Sequence, residues 1–422
     1  MAERARWRLA VMMALVYAVQ GAWWPLLAVH LRDLGISGRG RGAIFATFAL
    51  ASLATPLVAG AIADGRVPAQ RLLAAIYALG AVLLVALATG LGSSAVAPLF
   101  AMLLIYWLVT APGQGLCNAL AFRNLDRPEA QFGGVRLWGT VGWMAVGWVV
   151  AGVMAANGST RAGQGAYEAF WVGAVLSGLL SVYSLTLPHT PPLAFGPRSR
   201  GVAWGEAREL LRRPGVAIFL VAAFGASLGT PFVYQTVPPY LSALGLPHAR
   251  VALAMSLGQI LEVASLVALP RILGGLGQRR TLALGLGAWV GYYTILAARP
   301  PLGVALMALP LNGVAIALFH IAGPMFLDSQ AAPHRRASVQ GLYLLVASGL
   351  GTLLGNLLAG ELVARAGGVG ANVFLFPCLI NAGVLALFLL FFPRLPRPAS
   401  QAFGDPFPHS PRPAGLSKTV SH

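Results

Sequence analysis

Residues 255–275 read MSLGQILEVASLVALPRILGG, an apolar stretch long enough to cross a bilayer, with Glu262 in its middle and Gln259 one helical turn earlier. Runs of this kind recur along the 422 residues. Hydrophobic side chains make up 57% of the chain and charged ones 10%, with a mean hydropathy of +0.74; water-soluble domains carry about a quarter charged residues. Each run of roughly 18 apolar residues spans a hydrocarbon core of about 30 Å as a helix. The fold class that follows is an all-α polytopic membrane protein.

Cutting at polar and Pro/Gly-rich breaks predicts spans near 8–31, 42–63, 71–90, 97–121, 134–155, 167–187, 215–243, 249–273, 280–298, 301–327, 337–364 and 371–393, about twelve helices. The first follows MAERARWR directly, without a cleavage-site pattern before the next loop, and is expected to stay as an anchor. The net charge of +17 follows the loops. With a cytoplasmic N-terminus, the inside segments hold most of the arginines, and the first outside loop, with Arg32, Arg39 and Arg41, is the main exception. That asymmetry puts both termini in the cytoplasm of a bacterial inner membrane and makes the basic charge topological rather than a nucleic-acid patch.

Cys117 and Cys378 lie inside spans, with no metal-site or disulfide spacing. No phosphate loop, H-E-x-x-H or nucleophile elbow is present, so the chain reads as a non-enzyme without metal or cofactor, and work against a gradient must draw on ions. The polar interruption 188–214 divides an N-terminal six-helix bundle (1–187) from a C-terminal one (215–393), with a disordered cytoplasmic tail (394–422). It contains GEARELLRR, a short amphipathic stretch suited to the interface. Residues 41–66 lay over 250–275 with one small gap, so helix two corresponds to helix eight. Two parallel repeats and a linker suit a transporter whose site lies at the midplane between them.

Over essentially all of its length the chain resembles the major facilitator superfamily. GAIADGRVPAQR, at 60–71, is similar to that superfamily's loop between helices two and three and implies Asp64 and Arg66 as a charge clamp that makes and breaks as the halves rock. Within the superfamily, RLWGTVGW (136–143) resembles the helix-five motif of the bacterial nucleoside:proton symporters, which implies that Arg136, Thr140 and Trp143 face sugar and base. QGAW (20–23), APGQGLCNAL (111–120), LTLPHTP (185–191), the segment around Glu262 and RASVQGLY (336–343) are also similar, in the family's order. The resemblance departs at helix ten, where Ala317 takes the place of the family's aspartate and Asn312 that of its tyrosine. In helix seven Pro231 and Tyr234 replace its amide pair.

The residues support the same picture by spacing. Arg136, Thr140 and Trp143 fall at i, i+4 and i+7, and Gln259 and Glu262 at i and i+3; the matching helix-two positions are Leu50 and Leu53. A neutral polyhydroxylated solute with an aromatic base needs hydrogen-bonding groups and a flat ring. Arg136, Thr140, Gln259, Glu262 and Asn312 supply the first, and Trp143 with Tyr234 the second. A charged residue at mid-helix is disfavoured by roughly 2.5–3.5 kcal/mol, so Glu262 is expected to face a cavity and exchange protons, with His320 as a second proton-carrying candidate beyond Ala317. The expectation is a monomeric importer of nucleosides or a related polar solute, driven by the proton gradient, with the bilayer and the solute as its partners. The alternatives are a sugar or oligosaccharide symporter, a drug:proton antiporter, or a non-transporting sensor or assembly factor.

Overall fold

A backbone that enters hydrocarbon has to satisfy its N–H and C=O groups internally, and helices do this within one segment. The computed structural model describes residues 2–63, 67–90, 95–158, 165–191, 211–213, 215–331 and 336–393; among them the chain makes twelve helical passes and no strand. Nine stretches of the described residues are long and apolar enough to cross a membrane, one of them, His248–Ala297, covering two passes.

The first pass, α1, is Ala2–Trp23, carried on by a 3-10 turn at Trp24–Leu26 and a short helix at Leu27–Asp33. Next come α2 (Gly38–Ala63), α3 (Ala69–Ala88), α4 (Val96–Asn124), α5 (Pro128–Ala156) and α6 (Tyr167–Ser184). The second half opens with α7, Val216–Gln235 followed by Val237–Ala243. His248–Met255 begins α8, which resumes at Leu257; the run to Ala297 turns at Gly277 (φ 75°, ψ 167°), separating α8 from α9. In α10, Leu302–Ala315 and Ala322–Gln330 flank a π-turn at Ile316–Ile321. In α11, Arg336–Tyr343 and Thr352–Arg365 flank another at Leu344–Gly351. The last pass, α12, is Leu375–Phe391 after a 3-10 turn.

The sequence reading takes 8–31 and 215–243 as unbroken; both instead break near their ends. Pro25 and the Pro238–Pro239 pair lack the N–H that would continue the ladder. The two breaks occupy the same place in the two halves, and so do the turns that follow. Leu34, Gly35 and Ile36 donate to His30, Arg32 and Leu31; Leu244, Gly245 and Leu246 donate to Tyr240, Ser242 and Leu241. Both glycines take positive φ, 75° and 96°, closing a helix with the same C-terminal cap. The internal repeat is therefore visible down to individual hydrogen bonds.

In the first half α1 packs on α5 and α6, α3 on α6 and α2 on α4; in the second, α8 and α9 pack on α10 and α12, and α7 on α11 and α12. Trp23, Tyr106, Trp107 and Phe170 are fully buried within the first half, their rings 5.2–5.6 Å apart. Trp7 instead lies exposed against Trp138. The closest helix approach in the second half is α8 on α10: a β-carbon on Gly313 would overlap Gly258 O and sit 2.7 Å from the backbone nitrogen of Glu262. Gly313→Ala is expected to force these backbones apart and to lower stability by about 1–3 kcal/mol, measurable as a fall in the thermal unfolding midpoint of the detergent-solubilised protein.

Candidate functional site

The two halves meet along a seam at one end. Along it α2 runs backbone to backbone with α11, where a β-carbon on Gly42 would come within 2.7 Å of Asn356 O and one on Gly360 within 2.6 Å of Gly38 O. Above this contact Arg39 grips Glu361 through two hydrogen bonds of 2.6 and 3.1 Å, and Arg365 donates to the same carboxylate at 2.7 Å. A second cluster ties the end of α1 to α7 and α8. Arg32 donates to Asp33 and to the carbonyl of Pro239 (3.2 Å), and His248 Nε2 lies 2.8 Å from the Arg32 guanidinium and 3.2 Å from Asp33 Oδ2. Lower down, Trp148 of α5 donates to Ser256 at the break in α8 (3.3 Å). Arg41 is buried in this seam, with no hydrogen-bond partner for Nε or Nη1 and with Arg32 as its charged neighbour. At the opposite end, among the described residues, no hydrogen bond or ion pair joins the halves. Among the described residues the halves are latched at one end.

Polar and aromatic side chains from both halves face each other directly beneath the seam. From α5, Arg136 and Trp143 are half-buried and Thr140 is buried, while Leu137, Trp138 and Val141 point outward to the lipid-facing surface. One helix thus separates a site face from a lipid face by its 3.6-residue period. The Arg136 guanidinium stacks on Tyr17 of α1, 4.0 Å from the ring centroid, a cation–π contact that fixes its direction. Opposite, Glu262 is half-buried; Arg136 is the charge that acts on it, and the charge of Glu262 reaches Tyr17 and Tyr234. Among the described residues no cation lies within 4.0 Å of Glu262, so the carboxyl and the guanidinium do not form a closed pair.

Trp143 and Tyr234 bring their rings to 6.4 Å at 65°, and Trp24 stands 6.1 Å from Tyr234, giving aromatic surface on both halves. With its amide oriented to satisfy its neighbours, Gln259 donates to Met255 O (2.8 Å) and Ser256 O (3.1 Å), closing the break in α8. Asn312, in contrast, is buried behind this face and accepts a hydrogen bond from Trp289 Nε1 (3.0 Å). His320 lies in the α10 π-turn with both ring nitrogens engaged: Nδ1 stands 2.9 Å from Tyr343 OH, and Nε2 3.3 Å from Thr230 Oγ1. Its ring packs 4.9 Å from Trp289. The structure thus brings together Arg136, Thr140, Trp143, Tyr234, Gln259 and Glu262, and places Asn312 and His320 in the adjoining interior of the second half. Asp64 and Arg66 lie outside the described residues.

The sequence reading missed Tyr17, whose role rests on its contact with Arg136, and the whole seam. Arg32, Arg39 and Arg41 signalled the seam by standing in the loop where arginine is disfavoured. Gln235, beside the replaced helix-seven amides, is buried and donates to Asn356 Oδ1 (2.6 Å), so it serves the α7–α11 contact.

Two six-helix repeats, latched at one end around opposed polar faces, define a secondary transporter of the major facilitator type. The sequence matches the nucleoside–H+ symporter family over residues 4–399, and the chain belongs to that family. Among curated relatives, the nucleoside permease NupG of Escherichia coli K12 is 26% identical over 84% of this chain and 87% of its own. The xanthosine permease of Escherichia coli K12 is 26% identical over 96% of each. The crystal structure of a mutant of the nucleoside transporter NupG superposes with a TM-score of 0.81 at 22% identity, over 92% of this chain and all of that one, a likeness of fold. The chain is a transport protein and not an enzyme.

Asp33 is the only acidic residue of the inner seam cluster among the described residues, set between Arg32 and His248 and close to the unpaired Arg41. Asp33→Asn is therefore expected to shift the closed:open ratio of this end at least about tenfold toward open, read as a longer distance between spin labels at Ser37 and Ala366. Arg39→Gln removes only an exposed pair and is expected to shift it far less.

Proposed function

We propose that this chain imports nucleosides across a bacterial inner membrane, one proton-coupled cycle at a time, using the pocket between Arg136 and Glu262. The observation that carries the reading is the meeting of the two halves at Trp143 and Tyr234, beside an Arg136 stacked on Tyr17 and a Glu262 on which Arg136 acts without pairing, with Thr140 and Gln259 on the same two helices. A ribose offers hydroxyls that both donate and accept, and a base offers a flat ring; these surfaces match the two kinds.

The arginines concentrate at the end opposite the seam, so the positive-inside rule supports a cytoplasmic placement of that end and of both termini. The latched seam then faces outward, and the conformation is the one from which solute leaves for the cytoplasm. Glu262 carries the proton. Neutral, it accepts a solute hydroxyl or donates to it at little electrostatic cost; ionised, it turns toward Arg136, and the attraction between them draws the halves together across the vacated pocket. The step is thermodynamically driven by the proton gradient and needs no nucleotide. His320, held on both nitrogens, keeps α10 fastened to α7 and α11, and with Ala317 in place of an acid the proton load falls on Glu262.

The test is uptake of labelled uridine and adenosine into proteoliposomes, with and without an inward proton gradient. Gradient-stimulated uptake is expected, abolished as gradient dependence in Glu262→Gln and reduced at least about tenfold in Arg136→Ala. Absence of uptake by folded wild-type protein under both conditions overturns the reading.

A further inference from the structure

One polar pair beside the residues assigned to the site takes no part in holding the sugar or the proton. Gln114 of α4 donates from Nε2 to Gln20 Oε1 of α1 at 3.1 Å. Gln20 stands between Tyr17 and Trp24 on one face of α1, at i+3 from Tyr17, with Trp24 at i+7. Tyr17 carries the Arg136 guanidinium, and Trp24 meets Tyr234 of the opposite half and Trp107 of α4 (5.3 Å). Along α1 the amide pair is therefore set between two aromatic residues that each touch the candidate site. Both glutamines are half-buried, and among the described residues no other protein group meets Gln20 Nε2 or Gln114 Oε1.

We infer that this pair reads the hydrogen-bonding edge of the nucleobase, making Gln20 and Gln114 specificity-determining residues; the inference rests on the nucleoside reading of the pocket. An amide accepting from a second amide keeps its own N–H free, and the second keeps its own carbonyl free. The pair thus presents one donor beside one acceptor, held in fixed relation by the bond between them. That is the complement of a base edge on which a ring N–H adjoins a carbonyl, as in uracil. Arg136, Thr140 and Glu262 hold the sugar end, aromatic surface from Trp143, Tyr234 and Trp24 covers the ring, and the amides meet its edge. On the facing side of the pocket the amides are otherwise engaged, Gln235 with Asn356 and the nitrogen of Gln259 with the broken turn of α8. Recognition of the base edge then falls to the first half.

The experiment compares uridine with N3-methyluridine, which keeps the ribose and the ring but lacks the N3–H. Competition against labelled uridine in proteoliposomes gives the apparent affinity for each. Wild type is expected to prefer uridine, and Gln20→Leu and Gln114→Leu are expected to lose roughly tenfold in uridine affinity while N3-methyluridine changes little, so that the ratio collapses through KM with the maximal rate retained. Gln114→Glu preserves shape and an acceptor while removing the pair's shared N–H, and serves if the leucine variants fail to fold; it is expected to lower the same ratio. A structural role would weaken both ligands together. Variants that transport with an unchanged ratio overturn the inference and leave the nucleoside reading standing. Wild-type protein that transports no nucleoside overturns both.

Discussion

A carboxylate has no adequate solvent in the middle of a bilayer, and much of this structure is arranged around that difficulty. Glu262 sits on α8 where Gly313 lets α10 press against its backbone, so the helix that bears it cannot drift. Its one charged neighbour, Arg136, is held back on the Tyr17 ring instead of closing on it. The protein thus keeps the two opposite charges apart where neutralising them would be the simplest packing solution. A carboxyl and a guanidinium left unpaired keep their hydrogen-bonding capacity for a solute.

The fold was legible because hydropathy acts at the scale of whole segments. Twelve apolar runs could be cut almost correctly from composition, and two of the breaks missed, at Trp24–Leu26 and Thr236, came from prolines near helix ends where an apolar run continues past the kink, while the break of α8 at Ser256 has no such mark. The site was legible in part. Arg136, Thr140 and Trp143, or Gln259 and Glu262, declare themselves by shared faces of single helices, a one-dimensional signal. Tyr17 carries no such mark; its importance is a distance across two helices. Asn312 shows the converse, since its polarity suggests a pocket while Trp289 on the neighbouring helix claims it.

The halves are alike in ways the sequence barely hints at and unlike where function requires. Their first helices break at the same place and close with the same turn, yet the polar residues of α8 have only leucines opposite them in α2. Duplication supplied the frame, and divergence of one copy supplied the carboxyl in the middle of its helix. The seam uses both copies: α1, α2 and α5 from one half, α7, α8 and α11 from the other.

Arg41 gives that seam a particular character. A guanidinium taken out of water, with two of its donors unanswered and another arginine nearby, raises the energy of the shut form. A lock made only of favourable contacts would hold one shape so firmly that no solute could turn it. By spoiling its own lock slightly, the molecule leaves the shut form easier to open, which suits a carrier whose halves have to part and rejoin.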